Sequence, residues 1–260
     1  MSDLLILCYH AVSEKWPTEF AVSPRSLDAQ LRYFLRRGYR PATLSAALGG
    51  AAGRKTLVVT FDDAFASVFE RALPVMSARG VPATVFVPTS YVAGEGAMEW
   101  ASMGEWVGTA HEDELRCMSW DDLRGLAAAG WEVGSHTSTH PKLTSLSDLD
   151  LDRELSASKA RCEEEVQQPC AALAYPFGAH DRRVMDRTRA AGYSAAVILD
   201  NHLAIPAGSL VRPQRPREMF GLLREGVYRR DGWPRLVAKT SPLARRARAS
   251  RFTRIALRAA

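Results

Sequence analysis

His136 and His140 stand four residues apart in the stretch "WEVGSHTSTH". On a helical turn two residues at that spacing share a face, and neutral imidazole is a good ligand for zinc and similar ions. Two surface histidines in a polar loop would look the same. The ligand reading gains because the chain has six histidines in all and this pair follows an apolar strand. A second pair of polar groups, Asp62 and Asp63, closes the apolar run "TLVVTFDD". Fully extended, adjacent residues point to opposite faces, but at a strand end the backbone can turn and send both into one pocket. Close, buried carboxylates repel, and at least one must rise in pKa unless a cation lies near. One carboxylate on a metal ion and the other free as a base satisfies both. A cap on the next helix is the plain alternative for either aspartate alone.

His136, His140 and Asp63 make three ligands and leave a coordination position for water, the pattern of a catalytic rather than a structural site. A metal ion there would lower the pKa of water and polarise a carbonyl, with Asp62 placed to take the proton. The leaving group then needs a proton in return. His10, at the end of "LLILCYH", is the candidate acid, since histidine titrates near neutral pH. A core histidine bonded to a backbone carbonyl accounts for it equally well.

These residues must be carried by elements that bring distant positions together. "LLILCY", "TLVVTFDD", "PATVFVP", "WEVGSH", "AALAYPFG" and "YSAAVI" read as strands, and "SLVRP" as one more. Between them, "SPRSLDAQLRYFLRRG", "SVFERALPVMSARG", "SWDDLRGLAAAG", "SDLDLDRELSASKARCEEEV" and "DRRVMDRTRAAG" read as helices. Ser23 and Ser119 suit N-caps, Asp122 a capping box, and Pro74 a kink. Strands apolar on both faces, separated by helices, predict a parallel sheet covered on the outside. Six or seven such units favour a closed β/α barrel, with an open doubly wound sheet as the alternative. In a barrel the strand C-termini share one mouth, where His10, Asp62, Asp63, His136, His140 and Tyr175 would meet. Residues 89–118, rich in Gly, Trp and acids, read as an insertion on that face. Its Trp100 and Trp106 suit stacking on sugar rings or folding back onto the barrel.

The motifs resemble those of the polysaccharide deacetylase family, also called the NodB-homology domain or carbohydrate esterase family four. "TFDD", "HTSTH" and "YPFG" match three of its motifs in order and spacing over roughly residues 4–215. The resemblance implies a distorted (β/α)7 barrel and hydrolysis of an acetyl group on a sugar, most often an N-acetylhexosamine. It implies Asp62 as base, Asp63, His136 and His140 as ligands of one divalent ion, usually zinc, and the Tyr175 backbone N–H facing the developing oxyanion. Two positions depart from the usual pattern. The arginine that often holds the catalytic aspartate is replaced by Ala174, which leaves Arg212 or Arg215 as candidates for that task. No histidine follows His202, whereas many members carry the acid in a late motif. One branch, including exopolysaccharide poly-N-acetylglucosamine deacetylases, carries that histidine in an N-terminal "YH" strand, and "LCYHAV" is similar to it.

The net charge of +5 is unevenly placed. Lys239, Arg245, Arg246, Arg248, Arg251, Arg254 and Arg258 stand in an acid-free stretch, 239–260. The expected organisation is therefore a catalytic domain over 1–238 and a basic tail over 239–260. The body being mildly acidic, nucleic acid is not an expected partner. A glycan or sugar conjugate is, with weak contact between the tail and an anionic membrane surface as a further expectation. The cysteines, Cys8, Cys117, Cys162 and Cys170, form no C-x-x-C pair, and no run is long enough to span a membrane. A cytoplasmic protein, at most peripheral at the inner membrane face, is expected. Two other functions compete with the deacetylase: hydrolysis of a cyclic amide or imide on the same fold, and sugar binding without turnover.

Overall fold

A computed structural model of the chain describes residues 3–50, 54–92, 94, 97–100, 103–199, 218–241, 243 and 244. Its strands are β1 (Asp3–Tyr9), β2 (Ala11–Val12), β3 (Ala21–Val22), β4 (Arg40–Ala42), β5 (Lys55–Phe61), β6 (Thr84–Val87), β7 (Glu132–Ser135), β8 (Ala172–Ala174), β9 (Ala195–Leu199) and β10 (Leu222–Gly226). Its α-helices are α1 (Pro24–Arg36), α2 (Leu44–Leu48), α3 (Leu73–Ser77), α4 (Trp120–Ala128), α5 (Asp148–Val166), α6 (Arg182–Ala190) and α7 (Trp233–Thr240).

The strands run in the order β1-β10-β9-β8-β7-β6-β5, and β1 pairs again with β5 from Asp3↔Lys55 to Tyr9↔Phe61. That pairing closes a parallel seven-stranded barrel, as the alternation of strands and helices predicts. β4 lies beside the first half of β5, at Arg40↔Thr56 to Ala42↔Val58, and β6 takes over at Thr60↔Thr84. The last strand is β10, which the sequence reading missed; "SLVRP" lies outside the described residues.

Alternation along the strands sorts side chains into two cores. Leu5, Leu7, Tyr9, Leu57, Val59 and Phe61 pack outward beneath the helices. Ile6, Val58, Phe86, Ala172, Ala174, Val197 and Leu222 fill the barrel, with Leu44 and Ala47 of α2 at its lower end. In three of the inward-facing rows the chemistry turns polar two residues further along: Ile6 gives way to Cys8 and His10, Val58 to Thr60 and Asp62, Leu222 to Arg224. Side chains at the strand C-termini therefore sit in the mouth because of the two-residue period, and they are buried because the barrel is narrow.

Four of the helices read from the sequence begin at the expected residues, while α2 and α7 were not among those expected. Ser23, Ser119, Ser147 and Asp181 cap α1, α4, α5 and α6, and Ser119 with Asp122 forms a reciprocal capping box. Where Pro74 was expected to bring a kink, the chain has a widened turn. The turn before α3, Val68–Ala72, is a π-turn in which Leu73 N–H donates to Val68 O; a proline ring crowds the carbonyl four residues back, and a wider turn relieves it. Glycine is required at Gly134 in β7, where a Cβ would lie 2.7 Å from the Phe86 ring and 2.9 Å from Ala172 O. All four cysteines are free thiols. Among the described residues, no helix is long and apolar enough to cross a membrane. The boundary expected at residue 239 falls inside α7, where Lys239 donates to Gly226 O and pairs with Asp231. Residues 245–260, most of the basic tail, lie outside the described residues.

Candidate active site

Asp63, His136 and His140 converge at the mouth. Asp63 Oδ1 lies 3.4 Å from each histidine Nε2, and the two Nε2 atoms lie 3.2 Å apart. Three ligands about 2.0–2.1 Å from one ion at tetrahedral angles would stand roughly 3.3–3.4 Å from each other. The triangle therefore fits a zinc-sized ion without rearrangement. His136 Nδ1 lies 2.8 Å from Ala174 O, so that nitrogen donates and Nε2 presents its lone pair inward. The His140 ring lies flat against Trp100, with centroids 4.0 Å apart and planes at 23°, and Phe177 meets it at 4.7 Å.

The local backbone makes this convergence. The His136–His140 segment is an irregular loop and not the helical turn that its spacing suggested. Thr137 and His140 are left-handed, with φ of 70° and 59°, and Asp63 has φ of 68°. That turn at Asp63 is how two adjacent aspartates reach one pocket. Neither caps a helix: Asp63 faces the histidines, and Asp62 enters the barrel.

Asp62 Oδ1 and Oδ2 each accept a 2.6 Å hydrogen bond from the Arg224 guanidinium. Arg224 Nη1 also donates to Thr60 Oγ1 at 2.9 Å, and the guanidinium lies 5.4 Å from the Phe86 ring centre. Cys8 Sγ lies 3.4 Å from Asp62 Oδ2. Burial alone would raise the Asp62 pKa; the Arg224 charge, helped by His136, the Arg224 hydrogen bonds and His10, holds it well below the usual carboxylate range. Arg224 thus holds Asp62, the task that the resemblance led us to expect of another arginine in place of Ala174. Arg212 and Arg215, the candidates from sequence, lie outside the described residues. A cation in the inward row of a short apolar strand, "LLREG", was the available signal.

His10 is 8% exposed and packs on Phe20, with centroids 5.0 Å apart. A ring nitrogen of His10 lies within 4.8 Å of an Asp62 carboxylate oxygen and of Cys8 Sγ. Its Nδ1 has no hydrogen-bond partner among the described residues, so no backbone carbonyl holds that nitrogen. Burial lowers its pKa, with Asp63 and Asp62 opposing. Burial, then the neighbouring His136, pushes His140 down to about 3. Burial opposes protonation of His136 too, but the Asp63 hydrogen bond and the two aspartate charges raise it.

Tyr175 lines the same pocket, but the role expected of its backbone is not met. The Tyr175 N–H donates to Val197 O at 3.2 Å, extending the β8–β9 ladder, and its hydroxyl donates to Phe220 O at 3.1 Å. Phe20, Trp100, Met103, Phe177 and Leu199 form apolar walls. Trp100 has folded back onto a histidine, and Trp106 packs edge-on against Trp16, centroids 5.9 Å apart. Trp131 stacks on Phe61 at 5.5 Å as a packing residue. Asp181 serves as a helix cap, and His111 packs against Trp106.

The family model described as polysaccharide deacetylase matches residues 49–196, and the chain belongs to the polysaccharide deacetylase family. YxkH of Bacillus subtilis (strain 168), named for that family, is 23% identical over 201 residues, which are 75% of this chain and 64% of that protein. The chain thus spans less than two thirds of that relative's length. The poly-beta-1,6-N-acetyl-D-glucosamine N-deacetylase of Staphylococcus aureus (strain MSSA476) is 21% identical over 211 residues, 76% of this chain and 68% of that protein. Among solved structures, IcaB from Ammonifex degensii superposes with a TM-score of 0.69 at 24% identity, covering 92% of this chain and 97% of its own. The Streptococcus pyogenes deacetylase PplD in complex with acetate gives 0.72 at 21% identity, covering 92% and 98%. These likenesses establish the fold as the deacetylase (β/α)7 barrel.

Proposed function

We propose that this chain is a metal-dependent carbohydrate deacetylase that hydrolyses the N-acetyl group of an N-acetylhexosamine-containing glycan. The observation that carries the reading is the triangle of Asp63 Oδ1, His136 Nε2 and His140 Nε2 beside a carboxylate that a buried arginine keeps ionised. Family membership and the likeness to deacetylases of poly-N-acetylglucosamine support the substrate class. Asp63, His136 and His140 would hold a divalent ion, zinc being the expected one, which would supply Lewis acidity to a water and to the acetyl carbonyl.

The remaining work falls to the chain's own groups. Asp62 accepts the proton that water loses as it attacks the carbonyl carbon. Its two bonds to Arg224 fix the carboxylate's orientation, so little reorganisation is needed when the proton arrives. His10, protonated, donates to the sugar nitrogen as the C–N bond breaks, giving acetate and a free amine. Its desolvation makes the imidazolium a stronger acid than one in water. The apolar walls exclude bulk water and strengthen both proton transfers.

The cyclic amide reading was motivated by the absent arginine, and Arg224 removes that motive. The test is zinc content per chain together with acetate release from β-1,6-linked N-acetylglucosamine oligomers. About one retained ion, acetate formation and its loss in Asp62→Asn are expected. Failure of the folded protein to retain an ion after zinc loading would sink the metal mechanism; retained zinc without acetate from any N-acetylhexosamine oligomer would sink the substrate.

A further inference from the structure

The loop that carries His136 and His140 lies over the side of α5, and one side chain of that helix holds it. Glu154 Oε2 accepts from the backbone N–H groups of Ser138 at 2.8 Å and Thr139 at 2.9 Å. Glu154 Oε1 accepts from Thr139 Oγ1 at 2.7 Å. These three bonds grip the two residues lying immediately before His140, between left-handed Thr137 and left-handed His140. Thr137 Oγ1 then accepts from His140 N at 3.1 Å, and Ser135 Oγ accepts from Thr137 N at 3.0 Å. Non-glycine residues in the left-handed region are strained and persist only where neighbours over-determine them. The carbonyl side of the loop is paired with the neighbouring segment, Thr89 N–H donating to Thr137 O at 3.1 Å and Ser90 N–H to Ser138 O at 2.9 Å, and Glu154 holds its N–H side.

We propose that Glu154 is a positioning residue for the metal site: its carboxylate sets the separation of the two Nε2 atoms by fixing the backbone between them. The inference rests on the metal reading above but concerns a residue that touches neither the ion nor the substrate. It follows from hydrogen-bond count and direction. One carboxylate presents two oxygens to three donors that converge from a single turn, and among the described residues no helix or strand supplies those two backbone N–H groups with another acceptor. A glutamine can repeat the arrangement. Its carbonyl oxygen can take the two backbone N–H groups, and its NH₂ can donate to Thr139 Oγ1, whose hydroxyl rotates to accept. An alanine leaves the three donors without their protein acceptor, with solvent in its place.

The experiment is zinc affinity by competition with a chromophoric chelator on metal-stripped protein, alongside thermal unfolding of the stripped forms. Partners that orient metal ligands typically change affinity by about 10–100-fold when removed. Glu154→Ala is expected to bind zinc at least about 10-fold more weakly, and Glu154→Gln within about 3-fold of wild type. Thr139→Val, which removes one of the three bonds and keeps the side-chain shape, should fall between them, and it carries the test if Glu154→Ala does not fold. Wild-type affinity in both Glu154→Ala and Thr139→Val overturns the positioning role while leaving the metal site standing. Equal losses in Glu154→Gln and Glu154→Ala overturn it in favour of a charge effect. Absence of zinc binding by wild type overturns this role together with the metal reading.

Discussion

Asp62 grips a buried guanidinium at 2.6 Å through both oxygens, whereas Asp63, the next residue, faces two imidazoles at 3.4 Å. The first carboxylate is locked from below, by a side chain inside the barrel; the second belongs to a group held from outside, by a loop and a helix. The contrast shows how a strand end makes two reagents from one dipeptide. β5 delivers Asp62 on its inward row, and a left-handed turn then redirects Asp63 across the mouth. Asp62 has the Arg224 guanidinium as its positive counterpart, and Asp63 turns away from it toward the imidazole pair.

The sharpest way to break that contrast is to remove the carboxylates one at a time. Asp63→Ala is expected to abolish retained zinc and acetate release together. Asp62→Asn should keep the zinc and lower the rate by about 10²–10⁴-fold, the usual share of a general base. Metal analysis and acetate assay on the same samples decide it, and zinc loss from Asp62→Asn would merge two roles kept apart here.

Next in size is Arg224→Met. It strands Asp62 as an unpaired buried carboxylate, which costs about 3–5 kcal/mol in urea unfolding. The Asp62 pKa then rises, and the acidic limb of the acetate-release profile moves to higher pH. Adding Asp62→Asn to Arg224→Met should recover part of the lost stability, because the pair interacts. A single-variant loss under about 1 kcal/mol would contradict the pairing.

A smaller effect follows from the depressed pKa of Asp62. The stabilisation is fully present above the unfolded-state pKa and is lost as pH falls through the folded value, so wild-type unfolding free energy should drop below about pH 5. Asp62→Asn should show a shallower decline, measured by denaturant titration across the acid range. The smallest change is Thr60→Val, which removes one acceptor from Arg224 and should cost about 1 kcal/mol with zinc content unchanged.

Much of this arrangement was legible in the sequence, for local reasons. "TFDD" and "HTSTH" each carry their own strand and turn, so composition and spacing reveal them without knowledge of distant contacts. Caps at Ser23, Ser119 and Asp181 are legible for the same reason. Arg224 was not, because its meaning depends on which face of β10 points inward and on a partner far away in the chain. Glu154 was hidden inside a helix rich in charge, where one acid looks like another until the loop above it is placed. The Tyr175 N–H was assigned by likeness of motif, but in this barrel the register Ala174↔Val197 gives that group a strand partner.

Asp62 and Arg224 are separated by 162 positions, and the strand carrying Arg224 is the one that meets both β1 and β9. On the ribosome, Asp62, the histidines and most of the wall are synthesised first. Until β10 arrives they belong to an open trough whose central acid has no counter-cation. Contacts this distant in sequence form late, since chain closure must precede them. The nascent chain therefore acquires the counter-cation of Asp62 and its closed wall in one event, when β10 docks between β1 and β9.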